Sequence, residues 1–134
     1  MQHFSTPDQA AEWLHQRGSR RLHTDSRKVN AGDAFLAWPG ARHDGRRHVE
    51  SSLQRGAAAC LIEASGFQQA ASTALTQACA TYIDLKSACG PIAAAYYEHP
   101  SRQMDVVALT GTNGKTSCAW WLAQALVMLG QRCT

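Results

Sequence analysis

The chain has 134 residues, of which 45% are hydrophobic and 17% are charged, a composition typical of a globular protein. Its formal net charge of +3 is too small to indicate nucleic-acid binding by itself. No apolar run reaches the roughly 18 residues of a membrane span, and the first residues lack the apolar core of a signal peptide, so we expect neither a nucleic-acid nor a membrane partner.

The first predicted helix begins at Thr6, which can cap it, with Pro7 at the first helical position and Gln9 completing a capping box. Gly18 ends this helix. The stretch RRLHTDSRKVNAGDAFLAW then predicts two short strands around a turn at residues 30–33. Three apolar residues belong to the second strand: Phe35, Leu36 and Trp38.

Further helices and strands alternate along the rest of the chain, which predicts a layered α/β fold. They are a loop and helix over residues 43–56, a buried strand over 57–64, a helix over 65–80, a strand over 81–85, a helix over 87–99, a buried strand over 104–111 and a helix over 115–130. Pro91 is tolerable in its helix only near the start. The last helix is apolar on nearly every face between residues 118 and 129, so it should be buried on both sides.

The break at His99-Pro100-Ser101 is the natural domain boundary, because a residue before proline disfavours helix. We expect one domain over residues 1–100 and a single strand-loop-helix unit over residues 101–134.

The five cysteines are odd in number, and no two show the close spacing of metal ligands. Most lie in apolar stretches. They are therefore interpreted as reduced core cysteines of a cytoplasmic protein.

The stretch ALTGTNGKTSC, residues 108–118, is typical of a phosphate-binding loop between a strand and a helix. Gly111 and Gly114 allow backbone angles that let amides converge on phosphate at a helix N-terminus. Lys115 would bring a positive charge to the terminal phosphates, and Thr116 is placed to bind Mg²⁺ through its hydroxyl. The common form of this loop has another glycine where Leu109 stands, so Gly111 would supply the turn of a shorter loop.

Arginines cluster before residue 50, and guanidinium groups pair well with a diphosphate. Most of them are more simply explained as solvated surface residues. Arg27 and Arg42 lie in predicted loops, which favours a binding role for these two. The adjacent His43 and Asp44 suggest acid–base chemistry only weakly, because Asp44-Gly45 is also a common turn sequence.

Three stretches in this order resemble the Mur ligases, the ATP-dependent amino-acid ligases of bacterial cell-wall synthesis: TDSRKVNAGDAFLAWPG, HDGRRHVESSLQRGAAACLIE and YYEHPSRQMDVVALTGTNGKTS. The Thr-Asn between the two loop glycines and the His-Pro-Ser before the strand are most similar to the MurE branch, which adds the third residue of the stem peptide. The MurF branch, which acts next, shares the Asp-Ser-Arg and Asp-Gly features and ranks second. Trp38-Pro39-Gly40 departs from many relatives, which have a lysine before the glycine, and Ser117 replaces a second threonine.

This resemblance implies that residues 1–100 are the domain that binds the UDP end of the substrate and residues 101–134 the start of the central ATP-binding domain. The UDP contacts would be Thr24, Ser26, Ala41, Arg42 and His43. The residues that would bind ATP phosphates are Gly111, Thr112, Asn113, Gly114, Lys115, Thr116 and Ser117, with Lys115 catalytic and Thr116 the Mg²⁺ ligand.

In the reaction that the resemblance implies, the γ-phosphoryl of ATP passes to the terminal carboxylate of UDP-N-acetylmuramoyl-L-Ala-D-Glu. The amine of the incoming amino acid, meso-diaminopimelate or L-lysine, then attacks the acyl phosphate. We expect the chain to be a monomeric N-terminal fragment without ligase activity of its own. A non-catalytic UDP-sugar-binding module and an unrelated P-loop kinase or GTPase are the alternatives.

Overall fold

A computed structural model describes residues 1–41, 43–67 and 77–133. The chain divides into two compact units, Met1–Pro100 and Ser101–Thr134. The elements of the first unit are β1 (Gln2–Phe4), α1 (Pro7–Gln16), β2 (Leu22–His23), β3 (Ala34–Ala37), α2 (Val49–Gln54), β4 (Ala59–Glu63), β5 (Cys79–Tyr82) and α3 (Leu85–Tyr96). The second unit contains α4 (Lys115–Met128). Short 3₁₀ turns cover Ser26–Lys28, Gly45–His48 and Pro100–Gln103.

The five strands of the first unit form one sheet in the order β1-β5-β4-β3-β2, and every pairing is parallel. This sheet confirms the predicted α/β class. Strands β2 and β3 pair with Leu22 opposite Ala34, so the segment between them is a crossover and not a tight hairpin.

The three central strands β3, β4 and β5 are buried on both faces, as expected where helices cover a parallel sheet on each side. Alternate residues of each strand face opposite cores. Within β3, Leu36 belongs to the core that α1 and α3 cover, whereas Phe35 belongs to the core beside α2. The first core contains Ala10, Ala11, Trp13, Leu14, Ala34, Leu36, Ala59, Leu61, Ala80, Tyr82, Leu85, Ile92 and Tyr96, and the second contains Val29, Phe35, Ala37, Val49, Ala57, Cys60, Ile62 and Cys79.

Helix α1 confirms the start signal in the sequence. The Thr6 side chain accepts a hydrogen bond from the amide of Gln9 at 3.4 Å, and Pro7 is the first helical residue. The helix ends at Gln16, and Gly18 follows with a φ of 68° that favours glycine.

Several predicted bounds differ in the structure. Trp38 lies beyond β3, which ends at Ala37. The helix expected over residues 65–80 falls largely on residues 68–76, which are outside the described residues, and Cys79 already belongs to β5. Helix α3 begins at Leu85, earlier than expected, so Pro91 is its seventh residue and lies farther from the start of the helix than predicted.

The second unit differs most from expectation. Residues 105–110 carry no strand assignment and are exposed, whereas a buried strand was predicted. A single extended segment has no neighbouring strand within this unit to pair with. Helix α4 forms as predicted, but none of its residues is buried, and Trp120 and Trp121 are 60% and 64% exposed. No helix in the described part of the chain is long and apolar enough to cross a bilayer.

The cysteines divide between core and surface. Cys60 and Cys79 are buried opposite each other on β4 and β5, whereas Cys118 and Cys133 are exposed, so the prediction of core cysteines is wrong for the last two. The hydrogen bond between the core thiols, together with burial, raises the pKa of Cys60.

We therefore expect a water-soluble thiol reagent to modify Cys118 and Cys133 rapidly and to leave Cys60 and Cys79 unmodified in the native state. Peptide mass mapping after brief labelling checks this, with labelling in denaturant as the control. Equal labelling of all four thiols in native buffer would contradict the described core.

Candidate nucleotide-binding segments

The residues predicted to contact UDP follow two neighbouring strands at the same edge of the sheet. Because β2 and β3 are parallel, the segments that leave their carboxyl ends both begin at that edge. Thr24 and Ser26 come directly after β2; Thr24 is exposed and Ser26 is half-buried. Ala41 and His43 come after β3, and both are exposed. Arg42 lies outside the described residues.

Asp25 holds the segment after β2 in a compact turn. Its carboxylate accepts hydrogen bonds from the Arg27 amide at 3.0 Å, from Nε at 2.9 Å and from Nη2 at 2.7 Å. These bonds hold the pKa of Asp25 far below its usual range. The guanidinium of Arg27 is therefore already paired with a carboxylate, although its side chain is 84% exposed.

Asp44 and Arg46 repeat this arrangement after β3. The Asp44 carboxylate accepts the Arg46 amide at 3.0 Å, Nε at 3.0 Å and Nη2 at 2.8 Å. Arg46 also donates from Nη1 to the carbonyl of Ser65 at 2.7 Å, which ties this segment to the one after β4. The side-chain hydrogen bonds from Arg46 are the main reason that the pKa of Asp44 is lowered. Asp44 therefore forms a turn and pairs with Arg46. This agrees with the turn predicted from Asp44-Gly45 rather than with acid–base chemistry.

The pairs Asp25–Arg27 and Asp44–Arg46, called the two Asp-x-Arg clips below, were not predicted from the sequence. The signal was present in Asp25-Ser26-Arg27 and Asp44-Gly45-Arg46, which share one spacing. Each carboxylate caps the 3₁₀ turn that follows it, so the segments after β2 and β3 contain the same capping arrangement.

Replacing Asp44 with Asn should remove the charged pair with Arg46 while keeping one acceptor for the turn amide. Because the Arg46 side chain is only 16% exposed, we expect the free energy of unfolding to fall by about 1–2 kcal/mol. Urea unfolding measures the change. The matched variant Asp25→Asn, whose arginine partner is largely exposed, should lower the free energy of unfolding by less than Asp44→Asn does; the reverse order of the two effects would contradict the geometry.

The loop after β3 doubles back on itself. Pro39 and Asp44 form an isolated antiparallel bridge, and the amide of Gly40 donates to the carbonyl of His43 at 2.9 Å. A Cβ atom at Gly40 would lie 2.9 Å from that carbonyl oxygen, which is too close without a backbone shift. The turn therefore depends on glycine at this position, and it places Ala41 at the tip of the loop.

Glu63 links the next two segments of the same edge. Its buried carboxylate accepts hydrogen bonds from the amides of Ser65 at 3.0 Å, Asp84 at 3.3 Å and Leu85 at 2.7 Å. Burial by itself raises the pKa of Glu63, but these amides outweigh it and leave the pKa below its usual value. Glu63 thus caps α3 at Leu85, which explains why this helix begins earlier than its sequence pattern indicates.

In the second unit, residues 111–114 curl into a turn before α4. Gly111 has a φ of 144° and Gly114 a φ of 77°, both outside the range that other residues readily adopt. The ammonium group of Lys115 folds back and donates to the carbonyls of Gly111 and Thr112, the latter at 3.4 Å.

The other predicted phosphate-loop residues lie beside this turn. Thr112 and Asn113 are exposed within it, and Thr116 and Ser117 lie in the first turn of α4. Glycines at such angles, a lysine that folds over the turn and hydroxyl side chains at the start of a helix are the residue types typical of loops that bind nucleotide phosphates.

The chain is similar to known proteins in sequence. The profile described as "Mur ligase family, catalytic domain" matches residues 19–97. The UDP-N-acetylmuramoyl-L-alanyl-D-glutamate--2,6-diaminopimelate ligase of Acidovorax sp. (strain JS42) is 48% identical over 96% of this chain and 25% of its own length. The ligase of the same name from Coxiella burnetii is 42% identical over 85% of this chain and 23% of its own length.

Solved structures are similar in fold. A crystal structure of MurF from Acinetobacter baumannii has a TM-score of 0.66 and 29% identity, covering 89% of this chain and 27% of its own. A UDP-N-acetylmuramoyl-L-alanyl-D-glutamate--2,6-diaminopimelate ligase has a TM-score of 0.56 at 23% identity, covering 86% of this chain and 23% of its own, a likeness of fold alone. This chain spans about a quarter of the length of the curated relatives it matches. With the family profile covering more than half of its residues, the chain belongs to the Mur ligase family.

Proposed function

We propose that this chain is the substrate-binding and phosphate-loop portion of an ATP-dependent ligase that joins diaminopimelate to UDP-N-acetylmuramoyl-L-Ala-D-Glu. The observation that carries the proposal is the identity of 42–48% to ligases whose names state this reaction, over nearly the whole of this chain. Within the family, meso-diaminopimelate is the proposed amino acid and L-lysine the alternative. In the same proposal the enzyme is a monomer and acts in the cytoplasm on its UDP-linked substrate and ATP.

In this proposal the first unit, residues 1–100, binds the UDP end of the substrate. Thr24 and Ser26 offer hydroxyl groups after β2, and Ala41 and His43 offer exposed groups after β3. Arg42 stays a proposed contact on its sequence position alone. The two Asp-x-Arg clips fix these segments before the ligand arrives, which lowers the entropy lost on binding.

The second unit, residues 101–134, binds ATP in the same proposal. Residues 111–117 hold the phosphates, and Thr116 binds the Mg²⁺ ion. ATP supplies the phosphoryl group that activates the substrate carboxylate. Lys115 turns its ammonium group from the loop carbonyls to the terminal phosphates and neutralises their charge, so it is the proposed catalytic residue.

Because the chain spans about a quarter of its relatives, we expect the 134 residues to bind nucleotides without completing ligation. Calorimetric titration with UDP-N-acetylmuramoyl-L-Ala-D-Glu, UDP and Mg·ATP tests the proposal. Saturable binding of the UDP compounds and of Mg·ATP supports it. Binding of UDP compounds without ATP favours a non-catalytic UDP-sugar-binding module, and binding of neither contradicts it.

A MurF-type ligase is the second candidate, because the structures from Acinetobacter baumannii share 29% identity and a TM-score of 0.66 with this chain. One of them is a UDP-N-acetylmuramoylalanyl-D-glutamyl-2,6-diaminopimelate--D-alanyl-D-alanyl ligase, a name that describes a substrate already carrying diaminopimelate. Titration with the UDP-linked dipeptide and tripeptide therefore separates the two candidates if the peptide contributes to affinity. Tighter binding of the tripeptide would favour the MurF type.

A further inference from the structure

The carboxyl-terminal end of α2 contacts the segment that follows β2. Arg55, the residue after α2, donates from Nη2 to the backbone carbonyl of Ser26 at 2.6 Å. The two residues are 29 positions apart, so the bond joins segments that only the fold brings together. A guanidinium bound to a backbone carbonyl is a charge-assisted hydrogen bond, which is among the stronger kinds.

A second contact fixes the same segment a few residues later. The carbonyl of Gly56 accepts a hydrogen bond from the amide of Gly32 at 2.8 Å. Gly56 has a φ of 92°, and a Cβ atom there would lie 3.1 Å from the Cβ of Ala31. Between the two contacts, Val29 is buried in the same core as Val49 of α2. The segment from Ser26 to Gly32 is therefore held at both ends by the two residues that follow α2, and its middle shares a core with α2.

We propose that Arg55 is a positioning residue for the nucleotide substrate, because it fixes the carbonyl of Ser26 and thereby the Thr24 and Ser26 side chains. This role rests on the proposed function, in which those two residues contact the UDP group. Asp25 closes the turn from within the segment, whereas Arg55 sets where the turn lies relative to the sheet. Arg55 acts through Ser26 and need not touch the ligand.

The role predicts a loss of UDP affinity that is larger than any loss of stability. Without Arg55 the turn between Asp25 and Arg27 persists, but the turn also occupies positions in which it cannot bind UDP. The apparent affinity falls because only a fraction of the molecules is competent to bind. We expect Arg55→Ala to raise the Kd for UDP about fivefold, the equivalent of about 1 kcal/mol. Arg55→Lys should recover part of this loss, because an ammonium group can still reach toward the carbonyl.

Calorimetric titration with UDP tests the role, with Arg17→Ala as the matched control. Arg17 is exposed at the end of α1, where its guanidinium lies over the Trp13 ring. The affinity for Mg·ATP should be the same in all variants. Amide hydrogen exchange should show faster exchange of residues 26–29 in Arg55→Ala and unchanged exchange in the control.

The outcomes separate this role from the proposed function. Wild-type binding of UDP that Arg55→Ala leaves unchanged overturns the positioning role alone. Unchanged exchange in residues 26–29 also overturns it, whatever the affinity. A loss of UDP affinity matched by an equal loss in Arg17→Ala would show a general effect of removing charge. A wild-type chain that does not bind UDP contradicts the proposed function and this role together.

Discussion

Replacing Lys115 with Ala is expected to weaken binding of Mg·ATP by about 10- to 100-fold, which corresponds to about 1.5–3 kcal/mol for a hydrogen-bonded charge. In the structure the Lys115 ammonium group lies over the loop, against the carbonyls of Gly111 and Thr112. A bound phosphate would offer this group an anionic acceptor in place of two neutral carbonyls. The variant removes that cation and leaves the glycine angles of the loop unchanged.

Equilibrium titration with Mg·ATP measures the effect of Lys115→Ala, and Lys86→Ala is the control. Lys86 is an exposed lysine at the start of α3 in the first unit, so its removal changes the net charge equally without touching the loop. The affinity for UDP should be unchanged in both variants. Equal loss of ATP affinity in the two variants would show that net charge, rather than the loop lysine, governs binding.

Replacing Glu63 with Ala is expected to have the largest effect on stability, a loss of about 2–4 kcal/mol in the free energy of unfolding. The side chain is buried, with 6% exposure, and accepts hydrogen bonds from three backbone amides. Removing it leaves those amides without their acceptor and α3 without its cap. Glu63→Gln keeps one oxygen acceptor and should lose about half as much.

Urea unfolding at several pH values measures both the size and the origin of this effect. The folded-state pKa of Glu63 is lowered, so its contribution is fully present above the pKa of the unfolded chain, about 4.3, and is lost as pH falls through the folded-state value. The difference between wild type and Glu63→Gln should therefore shrink in acid. Glu12→Gln, on the exposed face of α1, should change stability by less than about 0.5 kcal/mol. A wild-type advantage that persists in strong acid would contradict a role for the ionised carboxylate.

Local signals in the sequence predicted many of the elements. The Thr6-Pro7 start of α1, the apolar run of β4 and the glycine-flanked start of α4 each depend on neighbours within a few residues, and each is confirmed. The strand expected over residues 104–111 is wrong for this structure, since its apolar run has no partner strand within its own unit. An apolar run of this kind indicates a preference for strand structure, but it does not indicate whether a partner strand is present.

The edge that carries the candidate UDP residues could be predicted only in part. The sequence by itself determined the α/β alternation and the glycines of the phosphate loop. It also contains the two Asp-x-Arg clips, whose partners are two residues apart, but these pairs were recognised only in the structure. Tertiary structure alone decided the parallel order of the strands, the bond from Arg55 to Ser26 and the caps that Glu63 provides to residues more than 20 positions away. The physical reason is that local hydrogen bonds follow from the spacing of residue types, whereas distant pairings exist only after the sheet has set which segments leave from the same edge.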